Sequence, residues 1–317
     1  MFPGVTRNGI SSNYDRRTGL GFRVAAAGGG AAAAGAINAN QTNAAESTDR
    51  EKPSGGASDG LVDSMEGTGV ATAPIANTSL FGRRIALVIG NSSYKNVPAL
   101  ANPRNDATSV AEALRRTGFA VVDLQLDLER DRLVSALRNF AQQAEAADWA
   151  VVYYAGHGME VGGINYVIPV DAKIAQDRDI GFEAVPLGQV LNATERAKKL
   201  HLVILDACRD NPFANQMKRT LAVASRSVSR GLAAVEPDAG TLVVFSAKDG
   251  ETSFDGDGAN SPFAKAFLKN LKTPGLEVRR LFDFVRDDVL DATQHRQNPF
   301  SYGSVSGRQD FYFVSSH

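Results

Sequence analysis

The chain has 317 residues, of which 43% are hydrophobic and 8% aromatic, and its 34 Lys and Arg residues nearly balance 35 Asp and Glu residues. This balance gives no electrostatic reason to expect nucleic acid or an anionic membrane as a partner. No stretch is long and apolar enough to predict a membrane span. The single cysteine, Cys208, excludes an internal disulfide and a Cys-rich zinc site. Its thiol is core packing, a redox-sensitive group or a nucleophile, and composition alone does not decide among these.

The first 82 residues are rich in Ala, Gly, Ser, Thr and Asn and poor in large aliphatic residues. Such a segment buries too little apolar surface to offset its chain entropy, so residues 1–82 are predicted to be disordered. Arg16 and Arg17 precede an Ala/Gly run, as in a twin-arginine export signal, but Arg23 interrupts the segment. We therefore expect a cytoplasmic protein, with export to the periplasm as the alternative.

From residue 83 onward, short apolar runs alternate with amphipathic segments. The runs predict buried strands, and apolar residues spaced three and four apart predict helices. Strands are expected at 85–89, 119–124, 149–154, 164–170, 201–205 and 241–245. Helices are expected at 105–116, with Asn105 or Asp106 as the N-cap, and at 130–146, 186–196, 262–271 and 277–292. The alternation predicts an α/β fold with a mostly parallel central sheet and helices on both faces.

Two of the predicted strands run into residues that can do chemistry. The strand at 149–154 continues into Ala155-Gly156-His157-Gly158, and the strand at 201–205 continues into Asp206-Ala207-Cys208. Ligands bind outside the carboxyl ends of parallel strands, so both groups are expected at the same edge of the sheet. An imidazole near a thiol can activate it for attack on an acyl carbon and then protonate the leaving amine. The backbone N–H groups of Gly158 and Cys208 are candidate donors to the oxyanion.

These segments resemble the caspase and metacaspase clan of cysteine peptidases, in particular its bacterial metacaspase-like or orthocaspase members. The resemblance rests on Tyr153-Tyr-Ala-Gly-His-Gly158, on Leu205-Asp-Ala-Cys-Arg-Asp-Asn-Pro212 and on the 51-residue step from His157 to Cys208. Further matches are Ile89-Gly-Asn-Ser-Ser-Tyr94, Asn102-Pro-Arg-Asn-Asp106, Asn260-Ser-Pro-Phe263 and Gln297-Asn-Pro299. The resemblance implies a caspase-like fold over residues 83–315, with His157 and Cys208 as the catalytic pair.

The resemblance also divides this domain into parts. It implies a large-subunit-like part at 83–214, a basic linker loop at 215–240 and a small-subunit-like part at 241–315. Caspase-like zymogens are commonly processed between two such parts, and a long polar loop can enter an active site in an extended form. We expect self-cleavage in the linker after Arg219, Arg226 or Arg230, with an uncut single-chain enzyme as the alternative.

Asp206 stands where caspases have Gln, a departure that metacaspase-like sequences share. In metacaspases this Asp and another at the start of the first helix, which matches Asp106, line the pocket for the residue before the scissile bond. Two carboxylates in a small pocket favour Arg or Lys, and Arg gains bidentate contacts. For Asp106, capping of the helix is the alternative interpretation.

No cofactor and no metal are expected to be required. Some metacaspases bind calcium, an ion that takes six to eight oxygen ligands. Two groups of aspartates are the candidates for such a site, namely Asp171, Asp177 and Asp179, and Asp255 with Asp257. The Asp255-Gly-Asp257-Gly segment lacks the later ligands of an EF-hand, so solvated turns are expected at both places.

The sequence therefore predicts a cysteine endopeptidase that cleaves peptides or proteins after Arg or Lys through a thioester acyl-enzyme. One alternative is a caspase-fold signalling or scaffold module without proteolytic activity, and another is a thiol acyl-transfer enzyme such as an amidase or transpeptidase. The intact His157 and Cys208 argue against the first alternative, and the acidic pocket argues against the second. Neither the natural substrate nor the oligomeric state follows from the sequence.

Overall fold

The computed structural model describes residues 81–208, 212–213, 238–248 and 253–316. The strands are β1 Arg84–Gly90, β2 Val121–Leu126, β3 Trp149–Val161, β4 Ile164–Val167, β5 Val185–Pro186, β6 Leu200–Cys208, β7 Thr241–Phe245 and β8 Phe300–Gly303. The helices are α1 Pro103–Arg116, α2 Arg130–Ala144, α3 Ile180–Glu183, α4 Leu187–Asn192, α5 Pro262–Asn270 and α6 Val278–Ala292, with a 3-10 turn at Asp177–Asp179.

Two of the sequence predictions fall outside the described residues. The predicted disordered segment lies there up to residue 80, and the predicted linker loop lies there from 214 to 237. The proposed cleavage positions Arg219, Arg226 and Arg230 belong to this loop. Both therefore stay predictions.

The strands form an eight-stranded sheet whose main path runs β2-β1-β3-β6-β7-β8. The first five strands of this path are parallel, and β8 joins β7 antiparallel at the edge. Beyond the parallel part, β3 continues into an antiparallel pair with β4, which in turn pairs with β5. The predicted α/β fold with a mostly parallel sheet is confirmed.

The central strands bury both of their faces, as continuous apolar runs in parallel sheets do. In β1, Ala86 and Val88 pack in one cluster together with residues of α1, α5 and α6. The alternate residues Ile85, Leu87 and Ile89 pack in a second cluster together with residues of α2 and α4. The helices thus cover both faces of the sheet, as predicted. Among the described residues, no helix is both long enough and apolar enough to cross a membrane.

Helix α1 begins earlier than the sequence predicted. It starts at Pro103, and Asn102 occupies the N-cap position. The prediction of Asn105 or Asp106 as the cap was wrong because Pro at the first helical position presets a helical φ and needs no hydrogen-bond partner for its nitrogen. The Asn102 amide instead donates to the backbone carbonyl oxygens of Asp255 and Gly256. Asp106 therefore lies inside the first turn, where its carboxylate is free to serve another purpose.

Strand β3 is also longer than predicted, since it runs through His157 to Val161 instead of ending at Tyr154. The two glycines that flank His157 remain in the strand, and Gly158 pairs with Val167 of β4. His157 therefore lies within a hydrogen-bonded strand and not in a loop that follows one.

A third apolar cluster lies where the loop after β1 meets the β3–β4 hairpin and the segment after β4. Tyr94 and Val97 come from the loop, Met159 from β3, and Ile168 and Val170 from the residues that follow β4. The cluster packs the loop after β1 against the end of β3 that carries His157.

Arg84 is a buried cation at the first residue of β1. Its guanidinium donates to the backbone carbonyl oxygens of Thr117, Tyr312 and Phe313 and lies 4.9 Å from the centre of the Phe119 ring. Burial lowers the pKa of Arg84 to about 10. These contacts fasten the last described segment of the chain to the first strand of the sheet.

Replacement of this cation tests its contribution to stability. In Arg84→Met, one buried and two partly buried carbonyl oxygens lose their donor, so we expect the free energy of unfolding to fall by about 2–4 kcal/mol in urea titrations. The matched control is Arg116→Met, which removes an exposed pair with Glu112 and should cost less than about 0.5 kcal/mol. Similar losses for the two variants would contradict the role assigned to Arg84.

Candidate active site

The backbone pairing of β3 with β6 brings the two predicted catalytic residues together. The strands pair in parallel over nine consecutive positions, from Trp149 with Leu200 to His157 with Cys208. Cys208 is the last residue of β6, and its backbone stands beside that of His157. The side chain of Cys208, like residues 209–211, lies outside the described part of the structure. The described part of the site consists of the paired backbones of β3 and β6, the His157 side chain and the residues around them.

His157 is buried, and its two ring nitrogens have different surroundings. Nε2 lies 2.9 Å from the carbonyl oxygen of Pro98. A carbonyl only accepts hydrogen bonds, so Nε2 carries the proton of the neutral ring and Nδ1 is the basic nitrogen. Nδ1 is buried and has no hydrogen-bond partner among the described residues.

The surroundings of His157 also affect its charge. Burial lowers the pKa of His157, and the Pro98 carbonyl and the charge of Asp255 oppose this effect only in part. A lowered pKa favours the neutral imidazole at pH 7, and Nδ1, which has no partner in the described part of the structure, can take a proton.

The two aspartates predicted to bind the substrate share one small cleft. Asp106 is 1% exposed and Asp206 is 8% exposed, and Gly156, next to His157, also lines the cleft. Strand β6 supplies Asp206 two residues before Cys208, and helix α1 supplies Asp106 from its first turn. The structure thus brings together residues that are a hundred positions apart in the sequence.

Hydrogen bonds hold both carboxylates in place. Asp206 Oδ2 accepts from the Tyr153 hydroxyl at 3.1 Å and from the Ser261 hydroxyl at 2.6 Å. Asp106 Oδ1 accepts from the backbone N–H of Ser261 at 3.0 Å and from the Asn260 amide at 2.8 Å. Ser261 therefore binds both aspartates at once.

Ser261 is at the same time the N-cap of α5, because its hydroxyl oxygen accepts from the backbone N–H of Ala264 at 2.9 Å. Sequence reasoning did not assign Ser261, Asn260 or Tyr153 to the site. The Ser-Pro pair at 261–262 does predict a helix start. What it does not reveal is that the start of α5 lies beside the end of β6, where the Ser261 hydroxyl reaches Asp206.

Burial of two carboxylates in one cleft shifts both of their pKa values upward. Burial, together with the nearby Asp206, raises the pKa of Asp106 to about 8 in spite of the bonds from Asn260 and Ser261. Burial raises the pKa of Asp206 to about 6, and the bonds from Ser261 and Tyr153 oppose this rise. At neutral pH the two interacting carboxyl groups together carry about one negative charge and about one proton.

Three of the aspartates considered as calcium ligands accept hydrogen bonds from backbone N–H groups. The Asp255 carboxylate accepts from the N–H groups of Ala101 at 2.7 Å and Asn102 at 3.3 Å, so the expected solvated turn was wrong for this residue. Asp171 accepts from the first N–H of α2, and Asp179 accepts from two N–H groups beside its own 3-10 turn. The described residues contain no group of three or more His, Cys, Asp or Glu side chains able to hold a metal ion.

The sequence matches a known protein family over most of its length. The model of the caspase domain family matches residues 83–312. The chain belongs to the caspase domain family. Caspases and paracaspases are cysteine-type peptidases, so the enzyme class predicted from the sequence is confirmed for the family. The narrower assignment to the bacterial metacaspase type stays a prediction.

Curated relatives of this caspase-family chain come from animals and an amoeba. "Mucosa-associated lymphoid tissue lymphoma translocation protein 1" of Homo sapiens is 28% identical over 209 residues, which are 65% of this chain and 24% of that protein. The "Paracaspase" of Dictyostelium discoideum is 26% identical over 195 residues, which are 59% of this chain and 44% of that protein. The chain therefore spans about a quarter of the length of the human relative and less than half of the amoebal one.

A solved structure supports the fold. Caspase-1 from Spodoptera frugiperda superposes with a TM-score of 0.54 at 19% sequence identity, over 77% of this chain and 94% of that chain. At this identity the likeness establishes a caspase-like fold and leaves substrate preference to the residues of the site.

The raised pKa of Asp106 has a measurable effect on stability. The folded value of about 8 lies above the unfolded value of about 3.9, so the protonated carboxyl contributes stability that is complete below pH 3.9 and lost as pH rises through about 8. Asp106→Asn keeps the acceptor oxygen but cannot ionise. The difference in free energy of unfolding between Asp106→Asn and the wild type, measured in urea titrations, should therefore change by roughly 1–3 kcal/mol in favour of the variant as pH rises from 4 to 9.

The control is Asp131→Asn, because the Asp131 side chain is 98% exposed. Its difference from the wild type should stay constant over the same pH range. A constant difference for Asp106→Asn as well would show that the Asp106 carboxyl titrates normally.

Proposed function

We propose that this chain is a cysteine endopeptidase in which Cys208 and His157 form a catalytic dyad that cleaves peptide bonds after Arg or Lys. The observation that carries the proposal is the register of β3 and β6, which pairs these two residues directly beside an acidic cleft. The substrate is a peptide or protein with a basic residue before the scissile bond.

The chemistry follows from the two nitrogens of His157. Nε2 already donates to Pro98, so Nδ1 takes the proton of the Cys208 thiol. The resulting thiolate attacks the scissile carbonyl. The backbone N–H groups of Gly158 and Cys208 donate to the oxyanion of the tetrahedral intermediate. His157 then protonates the leaving amine, which leaves a thioester between the substrate and Cys208. Water attacks the thioester, with His157 as the general base, and frees the enzyme.

The cleft favours a cation for an electrostatic reason. Asp106 and Asp206 together hold about one negative charge, and they repel each other when both ionise. An incoming guanidinium or ammonium group offsets this repulsion. Its positive charge also lowers the pKa of the protonated carboxyl, which then releases its proton to solvent. A guanidinium can contact the carboxylates in a bidentate manner.

Substitution of either member of the dyad tests the peptidase reaction. We expect Cys208→Ala and His157→Ala each to lower the rate of hydrolysis of a fluorogenic Arg peptide by at least about a thousandfold, because the reaction loses its nucleophile or its base. Both variants should unfold at temperatures close to that of the wild type. The exposed His295 provides the control, and His295→Ala should retain full activity. Turnover at the wild-type rate by either dyad variant would refute the proposal.

The charge of the substrate tests the cleft separately from the dyad. Citrulline has nearly the shape of Arg without its charge, so the ratio of kcat/KM for Arg and citrulline peptides isolates the carboxylates from the titration of the thiol. This ratio should rise with pH between 5 and 9, since a carboxylate must lose its proton to bind the cation. Asp206→Asn should lower kcat/KM for the Arg peptide by the equivalent of about 2–5 kcal/mol and change the citrulline value little.

Two results would contradict this specificity. One is a preference of the wild type for peptides with Asp before the scissile bond. The other is equal loss of activity on Arg and citrulline peptides in Asp206→Asn, which would assign Asp206 a structural role.

A further inference from the structure

Tyr94 touches the imidazole and the backbone of His157 at the same time. It lies in the loop after β1 and is buried in the third apolar cluster. Its hydroxyl accepts the backbone N–H of His157 at 2.7 Å. Its ring packs on the imidazole, with the ring centres 4.5 Å apart and the planes tilted by 54°.

The hydroxyl of Tyr94 stands where a neighbouring strand has ended. The ladder between β1 and β3 stops at the pair Gly90 and Ala155. The last hydrogen bond on the β1 side of β3 runs from the backbone N–H of Asn91 to the carbonyl oxygen of Ala155 at 2.9 Å. Two residues later, the N–H of His157 points to the same side of the strand, because backbone groups alternate along it. Tyr94 thus supplies the acceptor that β1 no longer provides, in a place where an unpaired N–H would be costly.

A second tyrosine completes the arrangement. The Tyr154 hydroxyl donates to the backbone carbonyl oxygen of His157 at 2.8 Å and lies 3.3 Å from the Tyr94 hydroxyl. The Tyr94 hydroxyl in turn donates to the carbonyl oxygen of Ile168 at 3.3 Å. Both backbone polar groups of His157 are therefore bound by side-chain hydroxyls that are themselves held in place.

Gly156 shows that the two hydroxyls leave no space for a side chain. A Cβ atom at this position would lie 2.6 Å from the Tyr94 hydroxyl and 2.8 Å from the Tyr154 hydroxyl. Its φ of +155° is also one that other residues rarely adopt. The glycine before His157 is thus required by the contact between the tyrosines and the strand.

We infer that Tyr94 is a positioning residue for His157, with its hydroxyl fixing the backbone of the histidine and its ring fixing the plane of the imidazole. The inference rests on the proposed function, in which His157 is the base. The role differs from that of Pro98, which determines the nitrogen that carries the proton. Tyr94 determines where the other nitrogen is held, and an error of a fraction of an ångström in such a position slows proton transfer.

The first test is kinetic. Tyr94→Phe keeps the ring but removes the acceptor, and its kcat for the Arg peptide should fall about tenfold. Tyr94→Ala removes both contacts, and its kcat should fall about a hundredfold. KM should change less than about twofold in both, because Tyr94 is not among the described residues that line the acidic cleft. Tyr312→Phe is the matched control, since its hydroxyl donates to the exposed Asp310, away from His157, and it should keep wild-type kcat.

The second test reads the imidazole directly. In a Cys208→Ala background, ¹⁵N NMR of labelled histidine reports the tautomer and the pKa of His157 without a titrating thiol. The Nε2–H tautomer and a lowered pKa are expected when Tyr94 is present. In Tyr94→Ala, water reaches the ring and the pKa of His157 should rise toward its ordinary value. Asp255, the charged group that acts on His157, is the same in every variant.

The two tests separate the inference from the proposed function. Peptidase activity in the wild type, with unchanged kcat and unchanged His157 signals in both Tyr94 variants, would overturn the inference alone. A wild type that cleaves no peptide, with His157 signals that shift in Tyr94→Ala, would refute the dyad and leave the positioning role intact. If Tyr94→Ala fails to fold, Tyr94→Phe decides, and full kcat in that variant would overturn the inference.

Discussion

The register between β3 and β6 is the constraint on which the rest of the structure depends. Nine consecutive residue pairs fix it, and a slip by one residue would turn every side chain of one strand to the opposite face of the sheet. The same ladder joins Ala155 to Asp206 and His157 to Cys208. The apolar packing that stabilises the sheet therefore also sets the relative positions of the proposed base, the proposed nucleophile and the acidic cleft.

A second constraint links the stability of the fold to the electrostatics of the cleft. Ser261 begins helix α5 and also binds the carboxylates of Asp106 and Asp206. Any shift of α5 would weaken donors that oppose the upward shift of both aspartate pKa values. The ionisation of the cleft is thus sensitive to the packing of a helix that follows His157 and Cys208 by more than fifty residues in the sequence.

Sequence reasoning reached the parts of this fold that depend on local pattern. The buried parallel strands were predicted because their apolar runs are continuous, as in β6 and β7, whereas β5 and β8 were missed because two residues, or a short run such as Phe300-Ser-Tyr-Gly303, show no such pattern. The cleft aspartates were predicted from a family resemblance. The acceptor for Nε2 of His157 could not be predicted, because it is a backbone carbonyl that any residue at position 98 would supply.

The contacts of Arg84 have a topological consequence. Its guanidinium, at the first residue of the sheet, holds the carbonyl oxygens of residues 312 and 313, so the two ends of the folded unit lie side by side. A circular permutant that joins these ends by a short linker and opens the exposed Gly162–Gly163 turn would retain every strand pair of the central parallel sheet. The same spatial order of strands would then form from a chain in which the strands follow one another in a different order.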